Sequence, residues 1–178
     1  MLGFVLSWLQ GCSFDYGSGQ GGPSAEKPSA VFYGFTHTVM SEGVKLLELK
    51  AEKAESYDAA GKTLLHEVSF TEYDRASGEP SASGEAEEAV FYTDTENAEF
   101  SGSIKIKSLR DDASLAAEHL SWDGKAKTLA GGLDRTVEIE RGDGSWVRGA
   151  GFSADARRRS YSYREAVEGV MVTKEEPK

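Results

Sequence analysis

Few residues of this chain have the types and spacing that chemistry needs. Gly17-Ser18-Gly19-Gln20-Gly21-Gly22 satisfies the pattern GxGxxG. A dinucleotide site needs a strand before that pattern and a helix after it. Here Pro23 follows, so the stretch reads as linker. Gly61-Lys62-Thr63 ends like a phosphate loop, but Ser56 stands where the first glycine belongs, and a turn is the better reading. His37, His66 and His119 share no metal-ligand spacing, and the chain has one cysteine. Glu85, Glu87 and Glu88 imitate a carboxylate pair without a base or nucleophile nearby, as a solvated strand edge would. Arg141-Gly142-Asp143 spells an adhesion tripeptide, yet Gly144 makes it a hairpin turn. No Ser/His/Asp arrangement stands out. The expectation is a protein that is not an enzyme and has no cofactor and no metal. Arg157-Arg158-Arg159 is the exception in an acidic chain. It reads as a solvated turn or as a contact for lipid phosphates, which guanidinium groups bind bidentately.

Cys12 offers a different chemistry. Leu2 to Gly11 is uncharged and mostly apolar, too short to span a bilayer but of signal-peptide length. It ends in Leu9-Gln10-Gly11-Cys12, which resembles a bacterial lipobox, whose cysteine is acylated. Gln10 is larger than usual there, and no Lys or Arg precedes the run. The alternative is a buried edge strand with a free thiol. Ser13 to Ser29 is rich in Gly and Ser, as a flexible tether would be. The organisation expected is a signal peptide over 1–11, a lipidated tether over 12–30, a β body over 31–173 and a charged tail over 174–178.

The 178 residues suffice for one core, and the net charge of −10 argues against nucleic-acid binding. From Val31, strand-like stretches of about ten residues alternate with turn signals. The turns are expected near Asp58–Gly61, Asp74–Gly78, Asp94–Asn97, Arg110–Asp112, Asp123-Gly124, Asp143-Gly144 and Arg157–Arg159. Ala98, Phe100, Gly102, Ile104 and Ile106 alternate with Glu99, Ser101, Ser103, Lys105 and Lys107. Leu133, Val137 and Ile139 oppose Asp134, Thr136, Glu138 and Glu140, and Val68 and Phe70 oppose Glu67, Ser69 and Thr71. Such alternation suits an antiparallel sheet with one wet face.

Leu46–Tyr57, Glu85–Tyr92 and Asp111–Trp122 favour helix by composition. A repeat argues otherwise. Ala51-Glu-Lys-Ala54 recurs as Ala86-Glu-Glu-Ala89 at an offset of 35, as Ala117-Glu-His-Leu120 31 later, and as Gly149-Ala-Gly-Phe152 after a further 32. Each unit runs into a turn and an alternating strand: Leu64–Phe70, Ala98–Ile106, Lys127–Ile139, Ser160–Val172. Each first half is then the hairpin partner of its second, giving about four successive hairpins.

Glu42 to Ala54 (EGVKLLELKAEKA) resembles the opening strand of LptC-type proteins, which help transport lipopolysaccharide. Leu64–Tyr73, Glu85–Tyr92, Phe100–Ile106, Leu115–Asp123 and Gly142–Asp155 follow in the family's order, and related LptA/OstA-type proteins share the repeat. The resemblance implies an all-β open antiparallel jellyroll, a V-shaped pair of twisted sheets whose apolar interior holds the acyl chains of lipopolysaccharide or a related glycolipid. Val68, Phe70, Phe100, Ile104, Ile106, Leu115, Val137, Ile139 and Phe152 would line that groove. An ordinary sandwich core fits the same alternation. The implied partners are the glycolipid, inner-membrane ABC transporter subunits near the opening strand Val31 to Met40, and a periplasmic LptA-like jellyroll at the C-terminal edge, Ser160 to Val172. The place implied is the periplasm, with a lipid on Cys12 tethering the chain to the inner membrane. A surface lipoprotein of structural or adhesive role is the alternative.

Overall fold

The computed structural model describes residues 27–173. Cys12, the signal stretch, the linker up to residue 26 and the charged tail lie outside the described residues; the end of the expected tether is already part of the body, with Ser29 donating its N–H to the Ser56 carbonyl at 2.8 Å and Ala30 opening the first strand. The strands are β1 (Ala30–Ser41), β2 (Val44–Tyr57), β3 (Lys62–Tyr73), β4 (Pro80–Tyr92), β5 (Asn97–Ser108), β6 (Ala113–Asp123), β7 (Thr128–Ala130), β8 (Thr136–Arg141), β9 (Trp146–Ala150), β10 (Ser153–Asp155), β11 (Ser160–Ser162) and β12 (Glu165–Val170). They form one 12-stranded sheet. Neighbours pair antiparallel in chain order from β1 to β6. The sheet then forks. The first half of β6 pairs with β8, and β8 leads to β9 and β12. The second half pairs with β7, and β7 leads to β10 and β11.

Turn chemistry sets the strand ends. Asp74 Oδ1 accepts the N–H groups of Ala76 and Ser77 at 2.9 and 3.0 Å. Asp123 Oδ1 does the same for Lys125 and Ala126, and Asp155 Oδ1 for Arg157 and Arg158. A short carboxylate reaching its own backbone two or three residues on stabilises each turn. Every expected turn is present. Two were missed: a turn at residues 133–134, and Glu42-Gly43, which joins β1 to β2 with φ of 52° and 82°, the pair of positive angles of a two-residue hairpin. The stretch Glu42–Ala54 therefore begins as a turn, with a strand ahead of it.

None of the stretches with helical composition is a helix; all three lie in strands apart from the turn at Asp111-Asp112. The reason is a crease across the sheet. Gly34, Glu52, Glu67 and Glu87 occupy one transverse row, and ladder pairing lapses at each. The row continues through Gly102 and Ser103 on β5 and Glu118 on β6. Gly34, Glu67, Gly102 and Ser103 have φ of 63°, 51°, 74° and 43°. Along this row the register shifts only against β5, whose extra residue at 102–103 is a bulge of the kind that bends a strand and increases its twist. Ala51 and Ala54 are both buried, as are Ala86 and Ala89, because the inward set steps by three at the crease. The Ala-x-x-Ala repeat is thus a bend signature, and its spacing of three is what imitates a helix face. Small side chains fit the inside of the bend, where space is least. The carboxylates of Glu52, Glu67, Glu87 and Glu118 sit exposed outside it.

In the later strands the crease becomes a break. Gly131–Arg135 separates β7 from β8, Gly151-Phe152 separates β9 from β10, and Tyr163-Arg164 separates β11 from β12. The continuous strands expected over Lys127–Ile139 and Ser160–Val172 are therefore each in two pieces, and residues 171–173 lie beyond β12. Leu133 belongs to a break, where it is exposed, and not to the inward row of Val137 and Ile139. The forked sheet has to change direction there, and no continuous ladder can follow both branches of β6.

Doubling over lets a single sheet bury one face. One core cluster joins Ala86, Ile104, Leu120, Val137, Ile139 and Phe152. A second joins Ala51, Ala54, Leu65, Val68 and Ala89. Each draws residues from both sides of the crease. The strand ends form two rims. The first carries the turns at 42–43, 74–79, 109–112 and 142–145. The second carries those at 58–61, 93–96, 124–127 and 156–159.

Candidate functional site

All nine residues expected to line a groove lie within strands or at their breaks, on the apolar face. Val68, Ile104, Val137, Ile139 and Phe152 are buried in the core clusters. Phe70, Phe100, Ile106 and Leu115 are half-buried. Phe70 lies over Gly84, where a Cβ would come within 2.4 Å of its ring, so a glycine is required there. Phe100 packs against both clusters and connects them. Sequence reasoning missed Phe35, Leu49, Leu65, Leu120 and Leu129. Leu120 is the fourth residue of a repeat unit, so the repeat carried a signal for it.

The apolar face is open towards β1. Phe32 and Phe35 lie on β1 with ring centroids 6.3 Å apart, and Phe32 is 50% exposed. Gly34 between them has φ of 63°, which puts rings three residues apart on one side. Phe35 packs on the second core cluster, so the exposed aromatic edge runs into the interior. At the other end Phe152, Tyr161 and Tyr163 close the face, with Phe152 and Tyr163 centroids 5.4 Å apart. The Tyr163 hydroxyl is buried and has no hydrogen-bond partner. Burial pushes its pKa up to about 12. An orphaned hydroxyl costs roughly 1–3 kcal/mol. Tyr163→Phe should therefore raise the melting temperature. A tyrosine whose folded pKa lies above its unfolded value of about 10 adds stability below pH 10 that fades as pH rises towards 12. Thermal melts across that window should fall more steeply for the unsubstituted protein than for Tyr163→Phe. Parallel curves would mean the hydroxyl is hydrated.

The outer face is charged. His66 lies 3.0 Å from Glu55 and 3.4 Å from Glu88, linking β2, β3 and β4. Lys53 and His66 together lower the pKa of Glu55. Glu85 pairs with Lys105, and Glu87 accepts the Ser103 hydroxyl, on the solvated face of the sheet; β4 is paired on both sides, so this is not the strand edge expected. Among the described residues, no group of three or more His, Cys, Asp or Glu is placed to hold a metal ion. Gly61 ends a turn and Lys62 opens β3, residues 142–144 are a turn, and the Gly142 N–H donates to the Asp112 carbonyl at 2.8 Å.

The three arginines form the β10–β11 turn. Arg157 donates to the Lys125 carbonyl at 2.7 Å, Arg158 faces Asp155 at 3.7 Å, and Arg159 pairs with Asp111. Asp111 sits on the first rim and Arg159 on the second. The Ser108 hydroxyl and Arg159 hold the Asp111 pKa below the usual carboxylate range, so the pair is intact at neutral pH and is released as acid protonates Asp111.

The forked sheet ends in three edge strands: among the described residues, β1 pairs only with β2, β11 only with β10 and β12 only with β9. Val167, Val170 and Met171 are exposed along the β12 edge.

A search of curated proteins matches none to this chain. Among solved structures it is similar to that of LptH from Pseudomonas aeruginosa, described as the LptA-homologous periplasmic component of the lipopolysaccharide transport device. The identity is 12%, the TM-score is 0.56, and the match covers 71% of this chain and 95% of that one. The two share a fold, the LptA-like jellyroll. The family model described as lipopolysaccharide-assembly, LptC-related, matches residues 1–171, and the chain belongs to that family.

Proposed function

We propose that this chain binds lipopolysaccharide or a related glycolipid against its concave apolar face and hands it to a neighbouring jellyroll across the periplasm. The observation that carries this reading is the continuity of the face. It runs from exposed Phe32 through Phe35 and the second core cluster to Phe100, and from there into the first cluster. An ordinary closed core has no reason to surface as aromatic rings on an unpaired edge. The acyl chains lie along this face and the sugar phosphates reach the rim arginines, Arg157, Arg158 and Arg159. The β1 edge meets the jellyroll of an inner-membrane ABC transporter, and the β12 edge meets an LptA-like bridge protein. A lipid on Cys12 holds the chain at the inner membrane, and a second acyl chain on the same residue makes that anchorage stable.

The test is photo-crosslinking in cells. The crosslinking residue goes at Phe35, at Phe100 and, as an outer-face control, at Lys105. Ile104 is packed in the core and is a poor probe. Each buried methylene contributes about 0.8 kcal/mol, so a few of them give capture roughly tenfold or more above the control. Equal capture at all three positions removes the support for an apolar groove. A structural or adhesive role predicts no glycolipid at any of them.

A further inference from the structure

The ion pairs between neighbouring turns mostly stay on one rim. Glu42 pairs with Arg75 and Asp74 with Arg110 on the first, and Glu96 with Lys127 on the second. Arg159 and Asp111 instead join the second rim to the first, across the opening of the folded sheet. The wing that carries Arg159 is slight. β7, β10 and β11 are three residues each, their ladders are correspondingly short, and β11 is exposed throughout. Segments with few buried contacts open most readily. Tyr161 of this wing packs against the Phe152 and Tyr163 rings, and the Tyr163 hydroxyl is buried there without a partner.

We propose that the Arg159–Asp111 pair is a latch on the C-terminal end of the opening, and that a phosphate of the glycolipid head releases it by taking Arg159 from Asp111. The second half of this rests on the glycolipid reading above. The pair is suited to exchange. Both side chains are about half exposed, so the bond is weak and screened. A phosphate offers guanidinium a bidentate partner that the single Asp111 contact does not. Arg158 stands beside Arg159 with its side chain 84% exposed, ready to share the anion. Asp111 is left in place by Ser108, whose hydroxyl bonds its carboxylate at 2.9 Å and accepts its N–H at 3.2 Å. The latch can therefore close again when the phosphate leaves.

Hydrogen exchange on the full chain tests both halves. Arg159→Ala and Asp111→Asn should each speed exchange across Ser153–Ser162 about threefold to fivefold, the size expected of an exposed pair. The double variant should add nothing further, and β2 to β4 should be unchanged. Unaltered exchange in both single variants overturns the latch. Purified lipopolysaccharide should speed exchange in the same segment of the unsubstituted protein, and lipopolysaccharide stripped of phosphate should not. Equal effects of the two preparations overturn the phosphate release and leave the latch standing. Absence of any binding by either preparation, read by the crosslinker at Phe100, overturns the glycolipid reading and the phosphate release together. The latch itself is then judged on the variants alone.

Discussion

Phe152→Ala should lower the unfolding free energy by about 3–5 kcal/mol, the largest loss expected of any single truncation in this chain. The side chain is 2% exposed, sits in the gap between β9 and β10, and belongs to the cluster with Leu120 and Val137. Two tyrosine rings flank it. Its carbonyl accepts the Gly131 N–H at 2.9 Å, so the same residue ties the β9–β10 break to the β7–β8 break. Gly131 has little room for rearrangement, because a Cβ there would come within 2.7 Å of Val137. The cavity left by alanine would therefore relax poorly, and the cost should lie towards the upper part of the range. Phe152→Leu keeps most of the volume and should cost under about 1.5 kcal/mol. Urea unfolding of the two variants measures both values. A loss below about 1 kcal/mol for alanine would mean that this end of the face is loosely filled, and that the slot continues through it.

The second large effect concerns the edge. Val170→Pro should weaken association with an LptA-type jellyroll by roughly fivefold or more, on the basis of one lost ladder hydrogen bond at about 1 kcal/mol. A free strand edge recruits another strand unless something blocks it, and proline withdraws the N–H that a ladder needs. Val170 is the last residue of β12, opposite Trp146, and is 49% exposed. Among the described residues, none of the buried core lies on β12, so the circular dichroism spectrum should stay β-rich. Val170→Thr keeps the N–H and should bind within about threefold of the unsubstituted protein. β12 is six residues long with an irregular register between Glu165 and Glu168, and the break at Tyr163-Arg164 separates it from β11. Binding that is unchanged in Val170→Pro would place the partner on another edge, with the unbroken 12-residue β1 the obvious one.

Much of this protein is legible in its residues because antiparallel sheets are specified locally. Asp and Gly at the turns fix where the chain reverses, and period-2 alternation fixes which side of each strand is dry. The hairpins β2–β3 and β4–β5, and the two broken hairpins after them, could be read from these rules and from the repeat at 35, 31 and 32 residues. The helical composition of Leu46–Tyr57 misleads only if propensity is read alone. Its alanines, three apart, mark a bend that becomes intelligible when Ala54 and Leu65, or Ala89 and Phe100, lie side by side on neighbouring strands. The crease itself was not legible, because a bend shared by successive strands is a property of their register and not of any one strand. Nor could Leu133 be told from Val137. Both are apolar and correctly spaced, and only the fork at β6 puts one in a break and the other at 0% exposure. The same holds for Arg159. Its charge and its turn are written in the sequence, but Asp111 lies 48 residues away, at the opposite end of the strands. The doubling of the sheet alone brings them together.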